Sequence, residues 1–163
     1  MIFSILVVTL LLSFYTDIRS RKILNIVTFP AMLIGLVYHT VTQGLDGFLF
    51  SGAGLLVGLL LLFIPYLLGG MGAGDVKLLG AIGALTGVTF VFQSFIYTVL
   101  IGGLIGFILL VRKIELKRLS PLYLFSFLFS LKSSQNDKPK ITFPYGVAIT
   151  VGTLCASFLG GMM

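Results

Sequence analysis

Two aspartates carry the chemistry available to this chain. Asp75 stands in Gly-Gly-Met-Gly-Ala-Gly-Asp-Val-Lys (Gly69 to Lys77), between two long apolar runs, and Asp17 closes another apolar run. Carboxylates that share a low-dielectric site do not both ionise easily, so one keeps its proton. The ionised member can then take a proton from water while the neutral member polarises a carbonyl. That is aspartyl-protease chemistry, and it requires neither a metal nor a nucleophilic side chain. An acid at mid-membrane costs roughly 2.5–3.5 kcal/mol and is functional by default. Both acids here lie near the ends of their runs, where the cost is smaller. Placement alone therefore leaves a second reading open, two helix-end acids neutralised by Arg19 or Lys77. The remaining acids, Asp46, Glu115 and Asp137, read as ordinary solvated charges.

The glycines before Asp75 favour the catalytic reading. Gly69, Gly70, Gly72 and Gly74 leave that backbone approachable. An extended substrate could pair with it as an added strand. Gly54 to Gly58 and Gly102 to Gly106 have instead the spacing of close helix packing.

The elements that position the acids follow from composition. The chain has 163 residues, 58% of them hydrophobic and only 10% charged, against about 25% charged in soluble domains. The apolar runs must face lipid or each other as helices that satisfy their own backbone groups. Leu55 to Ile64 shows no period-two alternation, which excludes barrel strands. The expected fold is all-α, a polytopic membrane protein of about six transmembrane helices, forming one domain over 1–163. The spans run roughly Ile2 to Thr16, Ile26 to Thr42, Gly47 to Leu68, Asp75 to Thr86, Val88 to Val111 and Ile141 to Gly161. The first continues past Asp17, and the fourth and fifth share a tight turn near Thr86-Gly87.

Charge sets the expected orientation. With these spans, all 11 Lys and Arg fall on one side: Arg19, Arg21 and Lys22, then Lys77, then Arg112 through Lys140. The positive-inside rule puts that side in the cytosol and both termini outside, with Asp17 and Asp75 together at the cytosolic face and a cytosolic loop at about 112–140. The net charge of +6 reads as topology and contact with anionic lipids in the bilayer, not as nucleic-acid binding. The N-terminal run lacks the leading bases and small-residue site of a cleavable signal peptide. Cys155, the single cysteine, excludes an internal disulfide and a Cys-based zinc cluster, and reads as apolar filler. Ser120 to Leu131 is too short to span and reads as re-entrant or interfacial, with Lys132 to Lys140 a polar loop.

These residues resemble a known family. Gly72-Ala73-Gly74-Asp75 matches the Gly-x-Gly-Asp signature of intramembrane aspartyl proteases. Asp17-Ile-Arg19-Ser-Arg21-Lys22-Ile23-Leu24-Asn25 resembles the first-aspartate motif of type IV prepilin peptidases. Gly74 to Leu79 is typical of that family, and Pro144-Tyr145-Gly146 is similar to the Pro-Phe-Gly near the start of its last helix. The family often has proline where this chain has Leu24. Larger members also carry Cys-x-x-Cys motifs and methylate the product. This chain has neither the motifs nor that region, so its length resembles the short standalone peptidases of Flp-type pili. Presenilin-like proteases usually carry Tyr-Asp and Pro-Ala-Leu, which are absent here.

The resemblance implies Asp17 and Asp75 as the catalytic pair and Gly72 and Gly74 as shapers of the substrate-facing loop. Lys77 and Arg19 would be supports that tune the pair or hold an acidic substrate group. It implies no cofactor and no metal. The expected partner is a prepilin-like substrate, cleaved at the cytosolic side of its basic leader. Archaeal preflagellin peptidase is a related alternative. The competing classes are a small proton- or cation-coupled transporter using the same two acids, and a non-catalytic subunit of a secretion machine.

Overall fold

In the first helix the inward-facing positions recur at helical spacing. Leu6, Thr9, Leu10, Ser13 and Asp17 are its buried residues, one stripe on a 3.6-residue period. Val8, Leu11, Tyr15 and Ile18 on the other faces are exposed. This helix, α1, spans Ile2–Ser20. It continues one turn past Asp17 and ends where Arg21 turns left-handed (φ 50°) and donates its N–H to the Asp17 carbonyl at 2.8 Å.

The structure is a computed structural model and describes residues 1–113 and 145–160. α2 follows at Asn25–Leu67, α3 at Ala73–Lys113 and α4 at Tyr145–Leu159. The expected interfacial segment Ser120 to Leu131, the polar loop Lys132 to Lys140, Glu115, Asp137 and Pro144 lie outside the described residues. No strand occurs among those described, as the unbroken apolar runs require. Three helices are long and apolar enough to cross a membrane: Ile2–Ser20, Asn25–Leu67 and the Ala73–Ile108 stretch of α3; Tyr145–Leu159 is apolar but shorter. With apolar side chains such as Leu33, Val37, Leu60, Leu100 and Phe107 turned outward, this is the exterior of a membrane protein.

Single glycines divide the two long helices. Gly44 (φ 65°, ψ −137°) breaks α2 and Gly87 (φ 83°, ψ 178°) breaks α3. Gly87 sits where a side chain is strained by backbone alone, and a Cβ there would also run into the Phe50 ring. The breaks fall at the expected connections, Gln43 to Asp46 and Thr86-Gly87, and divide each long helix into two stretches there.

The segment 73–86 forms the centre of the bundle. Leu78, Leu79, Ala81, Ile82 and Ala84 have no exposed surface. Lipid supplies no hydrophobic drive between helices, so close backbone approach must hold them. Gly54 lies against the backbone of Gly83, and Gly58 against Leu79 and Gly80, which makes the second half of α2 antiparallel to this segment. The Gly54 to Gly58 pair thus packs as its spacing suggests. A Cβ added on Gly102 would stand at an ordinary contact distance, 3.6 Å from the Ala148 Cβ.

The break at Gly87 orphans the last carbonyls of the 73–86 segment. Two side chains of α2 satisfy them. Ser51 Oγ donates to the Ala84 carbonyl at 2.6 Å, and His39 Nε2 lies 3.0 Å from the Leu85 carbonyl. A carbonyl can only accept, so Nε2 carries the proton. α4 packs antiparallel on the second half of α3, with Gly152 against Thr98. α1 lies at the edge and shares more contact with α4 than with α2 or α3.

Candidate active site

Asp75 is the third residue of α3, and its local structure follows from the glycines before it. The Gly72 N–H donates to Asp75 Oδ2 at 3.1 Å, while the Asp75 N–H donates to the Gly72 carbonyl at 3.1 Å. A side chain at the third helical position reaching back to the cap amide is half of a capping box. An acid in the first turn also suits the positive end of the helix dipole. Helix-start stability therefore accounts for part of this aspartate. It does not account for burial, since Asp75 is only 8% exposed. Gly74 lets the chain after α1 close over this turn: a Cβ there would stand 3.0 Å from both the Cβ and the carbonyl oxygen of Ile23. Gly72 faces the Asp75 carboxylate, which an added Cβ would meet at 3.4 Å.

Asp17 is the last member of the inward stripe of α1 and is 5% exposed. Its carboxylate reaches the first turn of α4. Val147 N–H donates to Asp17 Oδ2 at 3.0 Å, and the Gly146 backbone contributes a further hydrogen bond. Free amides at a helix start form a ready anion site. One turn deeper, the Ser13 hydroxyl is buried without a partner among the described residues.

The two carboxylates, from different helices, lie within electrostatic range of each other. Asp75 also acts on Tyr145. Neither is neutralised by a cation among the described residues. Arg19 is turned outward, with Nη1 donating to the Tyr15 hydroxyl at 2.6 Å. Lys77 donates to Asn25 Oδ1 at 3.0 Å and stands 5.0 Å from the centroid of the Phe29 ring. The ion-paired reading of the acids thus lacks its partners among the described residues. No cluster of three or more His, Cys, Asp or Glu able to hold a metal ion occurs among the described residues.

The contribution of α4 was not assigned from sequence. Tyr145-Gly146 stood out as a motif, but nothing local links it to an acid 130 residues away from Val147. The stripe Leu6, Leu10, Ser13, Asp17 was a readable signal that Asp17 faces inward.

The described helices thus form a bundle of apolar helices in which two buried aspartates, one of them in Gly-x-Gly-Asp, lie within electrostatic range of each other. The model of the type IV leader peptidase family matches residues 4–111, about two thirds of the chain, and the protein belongs to that family. Both aspartates lie in the matched region, whereas the turn of α4 lies beyond it. No curated protein and no solved structure matches the chain.

Proposed function

We propose that the protein is an aspartic endopeptidase that removes the leader of type IV pilin-like precursors, Flp-type pilins among them, at the cytosolic face of the membrane. The observation that carries this reading is the burial of Asp17 and Asp75 within electrostatic range of each other, each held by a backbone amide and neither paired with a cation among the described residues. Membership of a leader peptidase family supplies the reaction class. In the proposed reaction one carboxylate is ionised and takes a proton from water as the water attacks the scissile carbonyl. The protonated partner donates to the carbonyl oxygen, and the tetrahedral adduct then collapses with proton transfer to the leaving amine. The reaction is endoproteolysis without methyl transfer.

The proposed topology has about six crossings. The breaks at Gly44 and Gly87 serve as outer turns, both termini are outside, and the basic connections lie in the cytosol. That arrangement puts the dyad on the side where a basic leader would lie. The glycine-rich turn 69–74 offers backbone for an extended substrate.

Co-expression with a candidate prepilin tests the reading. The wild-type protein should yield a shortened product on a denaturing gel. Asp17→Asn and Asp75→Asn should each insert normally and yield none. Full processing by either variant would overturn the catalytic assignment. Absence of product with the wild type would favour the transporter reading of the same acids.

A further inference from the structure

The dyad is drawn from two helices that scarcely hold each other. α1 carries Asp17 and α3 carries Asp75, yet the α1–α3 interface is the smallest in the bundle among the described residues. α4 contacts both, packing extensively on α3 and making the largest interface that α1 has. Its first turn also contacts Asp17 and lies within electrostatic range of Asp75. The amides of Gly146 and Val147 bond the Asp17 carboxylate, and the Tyr145 side chain on the same turn stands within the field of Asp75. The fit is tight on the Asp17 side. A Cβ on Gly146 would lie 2.7 Å from Asp17 Oδ2, 2.8 Å from its Cγ and 3.0 Å from its Cβ. No other residue type leaves room for that carboxylate against the helix start.

We propose that the first turn of α4, Tyr145 to Val147, is the positioning element of the dyad: it holds the Asp17 carboxylate at the start of the helix that packs on α3, and it thereby sets the separation between the two acids. This inference rests on the peptidase reading above and deepens it. Two carboxylates that share one proton and one water must keep a narrow range of separations. A displacement of about 1 Å at a reacting group can cost on the order of a hundredfold in rate. α1 alone does not provide that constraint, because its inward stripe is narrow and its other faces are exposed. Gly146 and Val147 touch Asp17 rather than the reacting bond, so this turn positions rather than catalyses.

The test is cleavage of a purified precursor by the full-length protein in detergent or vesicles, with kcat and KM resolved. Gly146→Ala forces the Asp17 carboxylate aside and should lower kcat by about tenfold or more, with KM within about twofold. Gly102→Ala, in the neighbouring helix at an ordinary contact distance from α4, is the matched control and should leave both constants unchanged. Wild-type kcat in Gly146→Ala, or a loss confined to KM, overturns the proposal. If Gly146→Ala does not accumulate in the membrane, Tyr145→Phe decides, because it keeps the ring and removes only the hydroxyl. A kcat reduced about threefold or more with a displaced pH–rate profile supports the role, and a wild-type kcat and profile refutes it. Asp17→Asn and Asp75→Asn are run alongside. If they cleave normally, the peptidase reading fails. If they are inactive while Gly146→Ala and Tyr145→Phe are normal, only the role of α4 fails.

Discussion

Asp75 and Asp17 sit on helices held in opposite ways. The Asp75 helix is enclosed over its length from Leu78 to Leu85, where every residue is buried. α1 shows one buried stripe and leaves the rest exposed. The two acids are held accordingly. Asp75 is held by its own chain, through the reciprocal bonds with Gly72. Asp17 is held by amides borrowed from α4. The site thus joins an acid built into the core to one docked at the edge. Damage to the core should be read first in stability, and damage to the docking first in rate.

The largest stability effect should come from Gly87. An alanine there meets both a glycine-type backbone and the Phe50 ring, at a cost of about 3 kcal/mol. Thermal unfolding in detergent should drop by several degrees, while Gly52→Ala, with nothing within 4 Å of its added carbon, should not move it. Equal melting of the two variants would show that the centre of the bundle tolerates displacement.

A smaller effect is expected at the far end of the same segment. Ser51→Ala leaves the Ala84 carbonyl without its inter-helix donor and should cost about 1–2 kcal/mol, read as a modest fall in melting temperature with kcat retained. Loss of kcat without loss of stability would mean that the core end communicates with the dyad, against the division drawn above.

The smallest effect is expected at Lys77. It is hydrogen-bonded to Asn25 and stacked on Phe29 at the surface, contacts worth less than about 1 kcal/mol. Lys77→Gln should leave stability nearly unchanged and cleavage within about twofold. A clear rise in KM would assign Lys77 to substrate binding, the role its motif implies, and the same assay on Arg19→Gln would test the other cation.

Much of this organisation was legible in the sequence because single residues announce it. The apolar runs set the helices, and glycines at 44 and 87 mark the breaks, since no other residue type takes those conformations cheaply. Gly-x-Gly-Asp predicts a turn against Asp75 because the acid bonds three residues back. The Asp17 environment was not legible. Its hydrogen bonds come from a helix start more than a hundred residues away, and no spacing rule spans such a distance. The caps on Ala84 and Leu85 were hidden for the same reason: Ser51 and His39 look like ordinary polar residues in an apolar run until the break at Gly87 exposes carbonyls for them.

The central claim is that Asp17 and Asp75 act as one unit, and a double-mutant cycle on leader cleavage tests it most directly. Precursor turnover would be measured for the wild type, Asp17→Asn, Asp75→Asn and the double variant, with each protein quantified in the membrane. Members of one catalytic unit are strongly non-additive. The two single variants and the double variant should therefore fall to the same residual rate, about a thousandfold or more below wild type. Full activity in either single variant, or a double variant whose loss is the product of the two single losses, would contradict the dyad.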